Sequence, residues 1–106
     1  MVFPLCNQTV TIYHKVGDGV CRYVYENCHL QTKAVGVRDD AGSYVGREFL
    51  LIVPDDRQVM VGDRVTLGVG PEGVRWEDLQ EALTVGYARP FLFDGRICHW
   101  QAGGKM

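Results

Sequence analysis

The chain has 106 residues, 11 basic and 13 acidic side chains, and a net charge of −2. One domain of this size buries roughly 60–65% of the surface its unfolded chain exposes, so it can fold without metal or disulfide staples. The balance of charge lacks the basic excess that drives binding to phosphate backbones, and no apolar run approaches the roughly 18–20 residues that span a bilayer as a helix. The N-terminus shows no basic stretch followed by an apolar core, which predicts a protein made in the cytoplasm and not exported.

Taken in order, the elements are strands and turns. Thr9 to Val16 alternates, with Val10, Ile12 and His14 on one face and Thr11, Tyr13 and Lys15 on the other, the period of a half-buried strand. Gly17-Asp18-Gly19 supplies the positive φ of a tight hairpin turn, so Val20 to Gln31 is predicted to return antiparallel. Thr32 to Val37 prolongs that strand until the cluster Arg38-Asp39-Asp40-Ala41-Gly42-Ser43 turns the chain, and this cluster is the expected flexible loop. Phe49-Leu50-Leu51-Ile52-Val53, the most apolar run, reads as a central strand buried on both faces. Gly62-Asp63 then turns the chain into a strand whose Val65, Leu67 and Val69 face one way. Trp76, Leu79 and Leu83, spaced i, i+3, i+7, predict one short α-helix over Trp76 to Leu83, with Glu77 and Asp78 favourably placed in its first turn. Leu83, Val85 and Tyr87 alternate as a strand that Arg89-Pro90 interrupts. The chain turns at Asp94-Gly95, and Arg96 to Gln101 forms the last strand before a loose basic tail, Gly103-Gly104-Lys105. The predicted fold is all-β, a small antiparallel barrel or sandwich with one short helix. Its core includes Val10, Ile12, Leu51, Val65, Leu67, Trp76, Leu79 and Val85.

The sequence offers little chemistry. Cys6, Cys21, Cys28 and Cys98 contain no C-x₂₋₄-C pair, which argues against a structural zinc and for small buried thiols. His14, His29 and His99 read as half-buried strand residues, because no carboxylate or nucleophile stands at a spacing that would employ them. Gly68, Gly70 and Gly73 make a G-x-G-x-x-G string, but it lacks the flanking βαβ unit, and Glu72 would repel a pyrophosphate. The pairs Asp39-Asp40 and Asp55-Asp56 lie in turns, where carboxylates cap backbone groups. No serine or cysteine has an evident base, so no catalytic residue, metal or cofactor is expected.

Several landmarks do resemble a family. Thr9-Val10-Thr11-Ile12-Tyr13-His14-Lys15 is similar to the opening strand of small β proteins encoded in the head-to-tail region of long-tailed bacteriophages and prophages. Asn27 to Lys33, Phe49-Leu50-Leu51-Ile52-Val53-Pro54, Val61-Gly62-Asp63-Arg64-Val65, and His99-Trp100 with Gly103-Gly104-Lys105 follow in the family's order. The chain departs from it at Cys28-His29-Leu30, where members often carry a tryptophan, and at Phe91 to Arg96, which is shorter and more apolar.

The resemblance implies a non-enzymatic virion protein of the neck, similar to head-completion, head-closure or head-tail adaptor proteins. Its implied partners are portal or adaptor and tail proteins, with a homo-oligomeric ring formed on assembly and no sequence-specific nucleic-acid or membrane binding. Arg38, Asp39, Asp40, Ser43 and Tyr44 in the loop and Gly103, Gly104 and Lys105 in the tail are the expected partner contacts. The competing expectation is a stand-alone OB-like module that holds a small ligand or single-stranded nucleic acid on Tyr13, Tyr23 and Tyr25.

Overall fold

In the computed structural model, residues 7–39 and 42–105 are described, with side chains for all of these except 33–39, 42–47 and 105. The alternating segment forms β1 (Gln8–Val16), which pairs with β2 (Gly19–Asp39) across a two-residue turn closed by Val16 and Gly19. Gly17 stands at φ +58 there, the left-handed first position that a II′-type hairpin reserves for glycine. Opposite Gln8 to Val10, β2 carries one extra residue, with Asn27 at φ +59. This bulge bends the strand, so its first half pairs with β1 and its second half, from His29, pairs with β3 (Gly42–Pro54).

The remaining elements are β4 (Arg64–Leu67), a single 3-10 turn (Trp76–Leu79), β5 (Leu83–Thr84), β6 (Tyr87–Phe93) and β7 (Arg96–Lys105). All pairings are antiparallel, in the order β5-β4-β1-β2-β3-β7-β6, and the all-β class is as the sequence implies. The sheet curls into a half-barrel whose two edge strands are joined by a short passage that lies against β7. β5 pairs with β4, and two residues later the same stretch of chain pairs with β7, with the Gly86 amide donating to the Gly103 carbonyl at 2.7 Å between them. Val10, Ile12, Cys28, Phe49, Leu51, Val53, Val59, Val65, Val85 and Ala102 fill the interior.

Several sequence expectations change, and Trp76, expected in the core, is only half-buried. The α-helix is one 3-10 turn, because Leu83 leaves the Trp76–Leu79 stripe to pair with Val65, and four residues are too few to sustain α-helix nucleation. Leu67 is 64% exposed, since it is the last residue of β4 and Gly68, at φ +82, turns the chain away. Val69, also placed with Val65, is exposed as well. Pro90 does not interrupt β6: it pairs opposite Trp100 on a strand with only one neighbour, where a missing N–H can face outward at no cost to the ladder. The tail is no loose end, because Gly103 and Gly104 belong to β7 between Leu50-Phe49 and the β5–β6 passage. The turn at Asp94-Gly95 stands as expected, with both residues at positive φ as a I′ hairpin requires.

The glycines at the closure are sterically required. A Cβ on Gly104 would lie 2.5 Å from the Thr84 carbonyl oxygen and 2.9 Å from the Gly86 nitrogen, both backbone atoms. Gly103 is covered by the Tyr87 ring from its cross-strand partner, an aromatic laid over a bare backbone.

The β2–β3 hairpin outruns the barrel. β1 stops opposite Cys28 and β7 stops opposite Glu48, yet the register of β2 with β3 continues from Lys33↔Glu48 to Asp39↔Gly42. Among the described residues this arm is a two-stranded ribbon about 20 Å long at the usual strand rise. It accounts for extents of 47 × 36 × 23 Å and a radius of gyration of 15.0 Å, against about 13 Å for a compact chain of this size.

Candidate functional site: a cleft beside the first hairpin

Cross-strand pairing aligns His14 with Cys21, Ile12 with Tyr23 and Val10 with Tyr25. Ile12 and Val10 enter the core, whereas the β2 partners lie toward residues 58–63, the segment that leads into β4. Between them is a cleft of about 370 Å³ lined by His14, Tyr23, Tyr25, Gln58, Met60 and Asp63.

Asp63 organises its floor. The side chain is only 5% exposed, and Oδ1 accepts from His14 Nδ1 at 2.6 Å while Oδ2 accepts from the Met60 amide at 3.0 Å. Gly62, at φ +93, makes the turn that aims the carboxylate inward. The backbone of this turn is tied to the closing segment: Gly62 N–H donates to Val85 O and Val85 N–H donates to Asp63 O, each at 2.8 Å. The dyad therefore joins β1 to the barrel's seam. A carboxylate only accepts, so the proton of the His14–Asp63 bond is carried by His14 Nδ1.

The wall is aromatic. Tyr23 and Tyr25 stack with centroids 6.1 Å apart and planes 25° off parallel. The Tyr23 phenol is pushed above its usual range, first by the adjacent Cys21 thiol, which also hydrogen-bonds it, then by burial and by the charge of Asp63. Tyr25 is raised by burial first, then by Tyr23, against an opposing effect of Arg57. Both are protonated donors at neutral pH. The Tyr25 hydroxyl donates to the Gln58 carbonyl at 3.3 Å, and the Arg57 guanidinium lies 5.1 Å from the Tyr25 centroid.

The opposite face of β1 is covered, which the alternation does not reveal. Thr11 and Tyr13 are both fully buried beneath residues 68–71. Thr11 Oγ1 donates to Gly68 O and accepts from the Gly70 amide, Tyr13 donates to Pro71 O at 2.8 Å, and Arg22 donates to Gly70 O at 2.6 Å. Gly70 has no side chain because the Tyr13 hydroxyl occupies that space. The glycine string thus forms a strap over the first hairpin, with its carbonyls spent on protein donors.

Among the described residues, no group of three or more His, Cys, Asp or Glu side chains could hold a metal ion. Cys28 is a core residue whose thiol donates to the Tyr25 and Glu26 carbonyls at the bulge. Cys21 is half-buried beside Tyr23, Cys98 is half-buried on β7, and Cys6 lies outside the described residues. No hydrogen bond joins Cys21 to His14 among the described residues, so the dyad has no thiol nucleophile poised on it.

The residues expected to meet partners fall in two places. Arg38, Asp39, Ser43 and Tyr44 stand at the tip of the arm by backbone register, and Asp40 lies outside the described residues. Gly103 and Gly104 are in the barrel wall, and Lys105 pairs opposite Glu48 at the base of the arm. Tyr13 does not join Tyr23 and Tyr25. His14, expected to have no carboxylate to serve, has one from 49 residues away. Comparison with family models, curated proteins and solved structures gives no match for this chain.

Proposed function

We propose that this chain is a structural subunit of the head-tail junction of a long-tailed bacteriophage, a head-completion, head-closure or adaptor protein that assembles as a ring. The observation that carries the reading is the arm, residues 33–39 and 42–47, standing out from a small curled sheet. A two-stranded ribbon is marginally stable by itself in water, and among the described residues no third strand pairs with either of its edges. A neighbour that adds a strand to either edge satisfies those groups and fixes the arm. The ordered sequence landmarks from Thr9 to Lys105 support the same reading, and the net charge of −2 suits a subunit beside which DNA passes without sticking.

In this account the barrel is the ring-forming body, and the tip residues Arg38, Asp39, Ser43 and Tyr44 meet a portal, adaptor or tail partner. Ordering the arm costs conformational entropy that the partner's contacts offset, so the subunit alone is a monomer or weak oligomer and the ring closes on its partner. Deleting the gene from the phage or prophage that carries it is expected to leave DNA-filled heads and free tails that fail to join, or heads that leak DNA. Electron micrographs of normal, joined particles from that deletion would contradict it.

The second reading, a stand-alone binding module, draws on the Tyr23–Tyr25 stack at the cleft. Burial of Tyr13 on the opposite face leaves it two rings instead of three.

A further inference from the structure

We propose that the cleft beside the first hairpin is a receptor for a guanidinium group, the end of an arginine side chain carried by a partner protein. This goes beyond the neck assignment and does not rest on it. The first ground is the open ring at the mouth of the cleft; three other rings of this chain each carry an arginine, although the exposed Tyr87 and Phe93 do not among the described residues. Arg57 lies 5.1 Å from the Tyr25 centroid, Arg64 lies 4.2 Å from the Trp76 ring, and Arg89 lies 5.6 Å from Phe91. Tyr23 is 43% exposed at the mouth of the cleft, and among the described residues no cation lies over it. Its face offers the negative quadrupole that draws a planar cation.

The second ground is the polar floor. Asp63, 2.6 Å from His14 Nδ1, puts a carboxylate at that floor, and a guanidinium has donors to give and nothing to accept. The charge of Asp63 reaches both phenols, raising each, so its field extends across the cleft. His14 is the only basic residue in the lining. Arg57, 5.1 Å from the Tyr25 centroid, is tied by hydrogen bonds to the Pro54 and Glu26 carbonyls at 3.1 and 2.9 Å and is not in the lining. Met60, 44% exposed, supplies an apolar wall for the methylene stem behind the charged head. A nucleobase could stack on Tyr23, but the lining has no arginine or lysine for the phosphate that comes with it.

The test is an NMR titration of the full chain with ethylguanidinium, N-acetylarginine methylamide, free arginine, ethylammonium, adenosine and acetate. Saturable shifts at Tyr23, His14 and Met60 are expected with ethylguanidinium and the capped arginine, weakened at least about fivefold by Tyr23→Leu. Met60→Ala, which removes the exposed apolar wall, is expected to weaken the same titration and serves if Tyr23→Leu fails to fold. Free arginine binding more tightly than the capped form would overturn the assignment to a partner protein. Ethylammonium binding as well as ethylguanidinium would overturn the planar recognition. Adenosine or acetate acting alone, or no saturable shift, would overturn the proposal.

Discussion

Gly104→Ala is expected to destabilise the fold by about 3 kcal/mol, near the upper end of overpacking costs and a large fraction of the roughly 5–15 kcal/mol that holds a domain together. The methyl group would be driven toward the Thr84 carbonyl and the Gly86 nitrogen, which cannot rotate away as a side chain can. Those two residues lie in the passage from β5 to β6, which packs against β7. Relief therefore requires β7 to part from that passage, at the expense of the 2.7 Å Gly86–Gly103 bond. Gly19→Ala is the control, because its Cβ would meet only the Val16 carbonyl at 3.5 Å. Urea midpoints should fall steeply for the first and hardly move for the second. Equal midpoints would mean that the closure is looser than this packing requires.

The second large effect is expected at Asp63. Removing the carboxylate with Asp63→Ala strips His14 Nδ1 and the Met60 amide of their acceptor in a site that water barely reaches, a loss of about 3 kcal/mol for two hydrogen bonds to a charged group. Asp63→Asn keeps the shape and one good acceptor, so it should lose less. His14→Ala leaves the buried carboxylate without its partner and should cost about as much as breaking other partly buried pairs. Because the two side chains share one bond, the double variant His14→Ala/Asp63→Ala should cost less than the sum of the singles. Additive losses in chemical denaturation would show that the dyad is not coupled.

The strands were legible wherever one local pattern decided them. Alternation over Thr9–Val16, the apolar run Phe49–Val53 and the Asp94-Gly95 turn each place an element, because strand period and positive φ are written in adjacent residues. Of the expected core, Val10, Ile12, Leu51, Val65, Leu79 and Val85 are buried. The failures share a cause. Trp76, Leu79 and Leu83 satisfy a helical stripe equally well as a 3-10 turn followed by a strand, and the choice is made by Val65, the cross-strand partner of Leu83. Tyr13 is buried by a strap from residues 68–71, and Gly103 and Gly104 are ordered by strands that precede them by tens of residues.

The same limit applies to the cleft. Tyr23 and Tyr25 stand out in the sequence as alternating aromatics, but His14 and Asp63 meet only through the register of β1 with β4 and the Gly62 turn. A Gly-Asp pair immediately before a strand was the available signal. It places a turn there, and it cannot by itself say that the aspartate faces inward.

The central claim is that this barrel and its arm are built into a virion. Mass spectrometry of purified, DNA-filled phage particles tests it most directly, with the portal protein as the internal standard. The account predicts peptides of this chain at a ring's worth of copies per particle, comparable to the portal. Infectious particles with portal peptides at full abundance and none from this chain would contradict it.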